Sequence, residues 1–146
     1  MRKSIILVMV VALALAVATA PATAGKKKTL KKSFSAQALP YPVTSSVQEG
    51  GCLNGAEAVH KVTTSFKTPG KGILDVEIFD FVGDWDLHIT DAAGHTLASS
   101  TSPNDGNATE QVAGLPLKKG FKVNIVACNW AGGPTAEGEY VYKYKK

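Results

Sequence analysis

The stretch of sequence that decides the fold is GDWDLHITDAAG, residues 83–94. In it Trp85, Leu87 and Ile89 alternate with polar residues, and a period of two is typical of a β-strand with one buried face. The last four residues of the stretch, DAAG, have the composition of a tight turn between two strands. The stretch therefore predicts a strand that gives its apolar side chains to a core and then turns into a second strand.

The same alternation recurs along the rest of the chain, with turn residues between the runs. The GLP sequence at residues 114–116 is expected to end the run before it. Because hairpin spacing is irregular and no later segment has a helical apolar stripe, we predict an all-β, antiparallel β-sandwich of about seven to eight strands rather than a barrel. The other runs lie at residues 62–67, 74–79, 96–99, 107–112, 121–127 and 140–145.

The composition excludes several classes of protein. The chain has 146 residues, of which 45% are hydrophobic and 19% charged, so it carries enough apolar material for a core and too little charge for a disordered chain. Its two cysteines exclude a scaffold built on many disulfides. The length suits a single domain.

The first 24 residues are predicted to be a signal peptide. Two basic residues precede an apolar run at residues 5–18, which is too short to span a bilayer. An A-x-A cleavage signal ends at Ala24, and a second candidate ends at Ala20. We expect cleavage after Ala24 and a secreted, extracellular protein with no transmembrane segment in the mature chain. An uncleaved anchor is the alternative.

Residues 25–51 are predicted to be a flexible linker that is rich in Lys and contains Pro, so that the sandwich domain covers residues 52–146. Five lysines lie between residues 26 and 32, whereas acidic residues outnumber lysines from Ser33 onward. This basic tail is either a solvated leader or a contact to an anionic surface such as a cell wall. Nothing downstream resembles a nucleic-acid module, so no nucleic-acid partner is expected.

Residues 83–94 also resemble a known signature, G-D-x-D-L-x-L-x-D-x-x-G, of the bacterial pre-peptidase C-terminal domains. Residues 120–125 and 138–142 are similar to later strands of that family, and the resemblance covers about residues 59–145. It implies a jelly-roll-like β-sandwich of the kind appended to secreted peptidases, with roles in secretion, processing or the binding of extracellular substrates. Since this sequence carries no catalytic domain ahead of the motif, we expect a non-catalytic module that binds or supports extracellular polysaccharide, cell wall or protein.

An enzyme is not predicted. The sequence contains no H-E-x-x-H, no G-x-S-x-G and no C-x-x-C motif. Asp84 and Asp86 are expected on the exposed face of a strand, where solvation keeps both carboxyls ionised and unsuited to acid catalysis. A purely structural envelope protein and an uncharacterised hydrolase are the alternatives.

The acidic residues are also candidate ligands of a calcium ion. Calcium favours several oxygen ligands, and carboxylates cluster around the strand and in a later polar loop. The alternative is that they keep the surface soluble or accept hydrogen bonds from turn amides. The candidate ligands are Asp84, Asp86, Asp91 and Asp105.

Cys52 and Cys128 are predicted to form a disulfide, because a secreted chain meets oxidising conditions and the number of cysteines is even. Cys128 is expected on the face opposite the core, so the bridge would pin the start of the domain to the rim or outer face of the sandwich. Two free thiols or a link between two chains are the alternatives. Trp130 is a candidate ligand contact at a strand end, or else the cover of this disulfide.

Overall fold

The computed structural model describes residues 25–41, 53, 58–101 and 109–146; the predicted signal peptide lies outside them. The described residues form eight β-strands and one short 3₁₀ turn at Ala58–His60. Within these ranges no helix has the length and hydropathy that a membrane crossing requires. The strands are β1 (Lys27–Gln37), β2 (Lys61–Lys67), β3 (Lys71–Phe79), β4 (Gly83–Thr90), β5 (Thr96–Ser100), β6 (Thr109–Leu117), β7 (Lys122–Gly132) and β8 (Thr135–Lys145).

The strands make two four-stranded antiparallel sheets that face each other. The first sheet has the order β1-β8-β3-β6 and the second has the order β2-β7-β4-β5. This order is that of a jelly roll, the eight-stranded sandwich built from two Greek keys. The predicted all-β sandwich of seven to eight strands is therefore confirmed.

The core lies between the sheets and uses the alternating residues that the sequence indicated. Trp85, Leu87 and Ile89 of β4 are buried to 1% exposure or less and belong to one apolar cluster with residues of β3, β7 and β8. Across the sheets, the ring of Phe66 stacks on Tyr140 with 4.7 Å between ring centroids. Because both inner faces supply apolar side chains, burial of this interface is the main stabilising term of the fold.

The linker prediction for residues 25–51 is wrong at Lys27–Gln37, which form β1, so the sandwich starts well before residue 52. β1 pairs with β8 residue for residue along its whole length. Phe34 lies opposite Gly138, and its ring occupies the space that a Cβ of Gly138 would fill. Lysines interrupt the apolar alternation of β1, so the backbone hydrogen bonds and the packing of Phe34 decide its structure rather than its own pattern.

The predicted strand break at residues 114–116 is also wrong, because β6 continues to Leu117. The pairing of β3 with β6 shifts register between Leu74 and Val76, and Gly114 takes a φ of +73° there. The N–H of Gly114 donates to the carboxylate of Asp75 at 2.8 Å. Pro116 is tolerated because β6 is an edge strand, where a missing N–H costs no ladder hydrogen bond.

Candidate ligand-binding surfaces

A groove lies at one end of the first sheet, where β1, β3 and β8 bring their lysines together. We call it the lysine groove; its volume is about 530 Å³. Five of its ten lining residues are lysines and none is acidic. The lining residues are Lys27, Lys28, Thr29, Lys71, Gly72, Ile73, Pro116, Lys143, Tyr144 and Lys145.

Strand register creates the lysine groove. Lys145 of β8 is the partner of Lys27 on one side and of Lys71 on the other, so three ammonium-bearing residues lie in one row across three strands. Two residues earlier in β8, Lys143 has Thr29 of β1 and Ile73 of β3 as its register partners. Like charges directly opposite each other on a sheet are unfavourable, and none of the three residues in this row is acidic.

One lysine of the groove has a carboxylate partner. Lys143 Nζ lies 3.1 Å from Asp75 Oδ2. The N–H of Gly114, with a smaller contribution from Lys143, holds the pKa of Asp75 below its usual value. Because the folded-state pKa is lowered, Asp75 stabilises the fold above its unfolded pKa, and this contribution is lost as the pH falls through the folded pKa.

The charge of this sheet face reverses along the strands. Beyond Lys143, the same face carries Asp75 and then Glu77 and Glu139, which are register partners. Lys31 pairs with Glu139 at 2.8 Å. The outer face of the first sheet therefore has a basic end at the lysine groove and an acidic end opposite it.

The outer face of the second sheet carries a different set of side chains, which we call the Trp130 cluster: Tyr41, His60, Asp86, His88 and Trp130. Trp130 Nε1 donates to Asp86 Oδ2, and His88 Nε2 lies 3.7 Å from the same oxygen. The ring of Tyr41 lies 4.9 Å from that of Trp130 and 4.6 Å from that of His60. These side chains contact one another, whereas the lysine groove has a volume of about 530 Å³.

Backbone and amide hydrogen bonds fold the segment after β1 over the outer face of β7. The side chain of the buried Asn129 donates from Nδ2 to Ala38 O at 2.8 Å, and the main-chain carbonyl of Asn129 accepts from Tyr41 N at 3.2 Å. Leu39 N donates to Val59 O at 2.7 Å. This segment brings Tyr41 onto Trp130 and covers part of the Trp130 cluster.

The expectation that Asp84 and Asp86 both face solvent is wrong for Asp86, which is 8% exposed. A register shift between Asp84 and Trp85 separates the two acids in the ladder. Desolvation, with a smaller effect from the neighbouring Asp86, raises the pKa of Asp84. Asp86 is buried because Trp130 covers its carboxylate.

Asp91 caps the turn that follows β4. Its Oδ1 accepts from the backbone N–H groups of Ala93 at 2.8 Å and His95 at 2.9 Å, and its Oδ2 lies 2.9 Å from the ring of His95. The hydrogen bond with the His95 side chain, and then those with the turn amides, lower the pKa of Asp91. In these contacts Asp91 accepts hydrogen bonds from turn amides, which is the alternative given above to calcium binding.

The structure does not bring the predicted calcium ligands together within the part of the chain it describes. Asp91 follows Asp86 by five residues, about 16 Å along an extended strand. Asp105 lies outside the described residues. In the ranges that are described, no group of three or more His, Cys, Asp or Glu residues is placed to hold a metal ion. Calcium binding stays a prediction.

Cys128 lies at the base of the Trp130 cluster. It is fully buried and packs in a small apolar cluster with Val126, Leu53 and Trp130. No cysteine of the described residues has a free thiol. Cys52 lies outside the described residues, so the Cys52–Cys128 bridge stays a prediction. Leu53, which follows Cys52 in the sequence, packs beside Cys128. Trp130 contacts this cluster. Its two suggested roles, covering the bridge and contacting a ligand, both stay predictions.

Sequence reasoning missed the lysine groove and the residues that cover Trp130. Both omissions come from treating residues 25–51 as a linker. The alternation of Leu30, Phe34 and Ala36 with polar residues was the available signal, although the lysine at position 32 interrupts it. Nothing in the local sequence indicates that Tyr41 and His60 meet.

No protein-family model and no curated protein matches this chain. Solved structures similar to it include the pre-peptidase C-terminal domain of collagenase from Bacillus anthracis, with 13% identity and a TM-score of 0.42 over 80% of this chain and 86% of that chain. Another is PliG of Aeromonas hydrophila, a periplasmic inhibitor of g-type lysozyme, with 14% identity and a TM-score of 0.38 over 84% and 90% of the two chains.

A third is the infectious bursal disease virus VP2 subviral particle, with 12% identity and a TM-score of 0.39 over 93% of this chain and 37% of that chain. A pre-peptidase C-terminal domain is thus among the structures similar to this chain, as the motif at residues 83–94 predicts. At these identities and TM-scores the likeness carries no argument about function, and the topology rests on this chain's own strand pairing.

Proposed function

We propose that this protein is a secreted, non-catalytic β-sandwich module that binds extracellular material, and that the lysine groove is its contact surface. The observation that carries the proposal is the composition of the groove. Five of its lining residues are lysines, none is acidic, and its volume is about 530 Å³. Residues 1–24, which have the sequence features of a signal peptide, support secretion.

The charge arrangement favours a ligand-binding role over a purely structural one. Lys27, Lys71 and Lys145 repel one another across adjacent strands, and a protein that needed only stability would gain from an acidic residue in that row. An anionic ligand removes the repulsion when it binds. The lysines that would bind an anion are therefore unfavourable neighbours in the free protein. Such a conflict between protein stability and ligand binding is common at functional sites.

A pull-down on insoluble chitin, cellulose, collagen and bacterial cell wall, with and without calcium, tests the proposal. We expect the wild type to be retained by cell wall, the material with anionic polymers, and released by salt. A triple variant K27Q/K71Q/K145Q should lose retention. The matched control K67Q/K119Q/K122Q removes the same charge from the second sheet and the β6–β7 turn, and should keep it.

Failure of the wild type to bind any of the four materials would contradict the proposal and favour the structural envelope protein. Equal loss of binding in both triple variants would show that net charge, and not the groove, is responsible. Retention that persists in K27Q/K71Q/K145Q but is lost in Trp130→Ala would transfer the binding role to the Trp130 cluster.

A further inference from the structure

The positive charge of the lysine groove extends across the strands rather than along them. Lys27, Lys145 and Lys71 belong to three adjacent strands, β1, β8 and β3. Neighbouring strands are about 4.8 Å apart, so the row is about 10 Å long. A ligand that follows this row can place two or three negative groups against lysines.

A ligand that lay along the strands would meet the opposite charge. From Lys145 to Glu139 is six residues of β8, or about 20 Å at strand spacing. Over that distance the outer face changes from basic to acidic, with Glu77 opposite Glu139. Charge complementarity therefore selects a chain that crosses the strands at the basic end.

The groove also contains apolar and hydroxyl groups that suit the body of a sugar chain. Ile73 is 40% exposed, and Pro116 and Tyr144 also line the groove. The C–H faces of sugar rings pack on such side chains, while Thr29 offers a hydroxyl for hydrogen bonds. A concave surface suits a polymer chain better than a bilayer. The described residues contain no arginine for the bidentate contacts that are common with nucleic acids.

We propose that the lysine groove binds a linear acidic polysaccharide that crosses β1, β8 and β3 and places two or three consecutive acidic groups on Lys27, Lys145 and Lys71. This inference rests on the proposed function and gives it a ligand class. Each exposed ion pair contributes little, so binding is weak for one acidic sugar, rises with each added acidic group that reaches a lysine, and is sensitive to salt.

Isothermal titration calorimetry of the full mature chain with polygalacturonate, and with galacturonate oligomers of increasing length, tests this inference. Affinity should rise steeply up to the oligomer that spans the row and then level off. It should fall when NaCl is raised from about 50 to about 300 mM. K27Q/K71Q/K145Q should bind about tenfold more weakly or worse, and K67Q/K119Q/K122Q should bind like the wild type within about twofold. Thermal melting of each variant establishes that it is folded.

Three results would overturn the inference: neutral dextran binding as tightly as polygalacturonate, a control variant as weak as the groove variant, or tighter binding to duplex DNA or to phosphatidylserine vesicles. The proposed function fails separately. If the wild type binds cell wall but not polygalacturonate, the acidic-polysaccharide assignment is wrong and the binding module stands. If it binds neither, both are wrong.

Discussion

Replacement of Tyr142 by Phe should destabilise the domain through the loss of one hydrogen bond. Tyr142 is fully buried in β8, and its hydroxyl donates to Gly70 O at 2.7 Å in the turn between β2 and β3. The phenol is protonated at neutral pH and can donate, and burial raises its pKa further above the usual value of 10.0. Phe keeps the ring and its packing, and therefore isolates the hydroxyl.

The size of the effect follows from what the substitution leaves behind. A neutral hydrogen bond contributes about 1 kcal/mol, and a buried carbonyl without a donor costs about 1 to 3 kcal/mol. Because Gly70 is itself buried, water does not replace the lost donor. We expect the free energy of unfolding to fall by about 1.5 to 3 kcal/mol, and the melting temperature by roughly 6 to 12 °C for a domain of this size.

Urea unfolding followed by tryptophan fluorescence measures this loss, and the m-value should not change. Tyr144→Phe is the matched control, since Tyr144 is two residues along β8, is only half-buried and stacks on Tyr142 at 5.7 Å between ring centroids. The control should lose less than about 0.5 kcal/mol. Equal losses in the two variants would refute the reasoning that the carbonyl of Gly70 depends on this donor.

Three further predictions concern charge, cross-linking and metal. The Asp75→Asn variant should be less stable than the wild type at pH 7. The difference should shrink as the pH falls below the ordinary pKa of 3.8, because the lowered pKa of Asp75 means that the fold favours its ionised carboxylate. A difference that is unchanged at acid pH in urea titrations would contradict this. Peptide mapping without reductant should recover Cys52 linked to Cys128, and reduction should cost about 2 to 4 kcal/mol; two alkylatable thiols in the monomer would show the bridge to be absent. If the predicted acidic residues bind calcium, the melting temperature should be higher in calcium than in chelator, and equal values would end that hypothesis.

The sequence by itself determined the fold class and most of the strands. In β3, β4 and β7 every second residue is apolar. This alternation is a property of residues close together in the sequence, so it does not depend on which strands become neighbours. The turn after β4 was equally local, because Asp91 accepts hydrogen bonds from amides within the next four residues. The two wrong expectations about strands, at residues 25–51 and 114–116, are places where a neighbouring strand overrides the local signal.

Only the tertiary structure decided which side chains form surfaces. Lys27, Lys71 and Lys145 are far apart in the sequence and share one row because β8 pairs with β1 on one side and with β3 on the other. Asp86 has the alternation of an exposed residue, yet it is buried beneath Trp130, whose indole N–H donates to its carboxylate and whose ring in turn packs against Tyr41. Strand register and the path of a covering segment are set by hydrogen bonds and packing between residues distant in sequence, and the pattern of a single strand does not contain them.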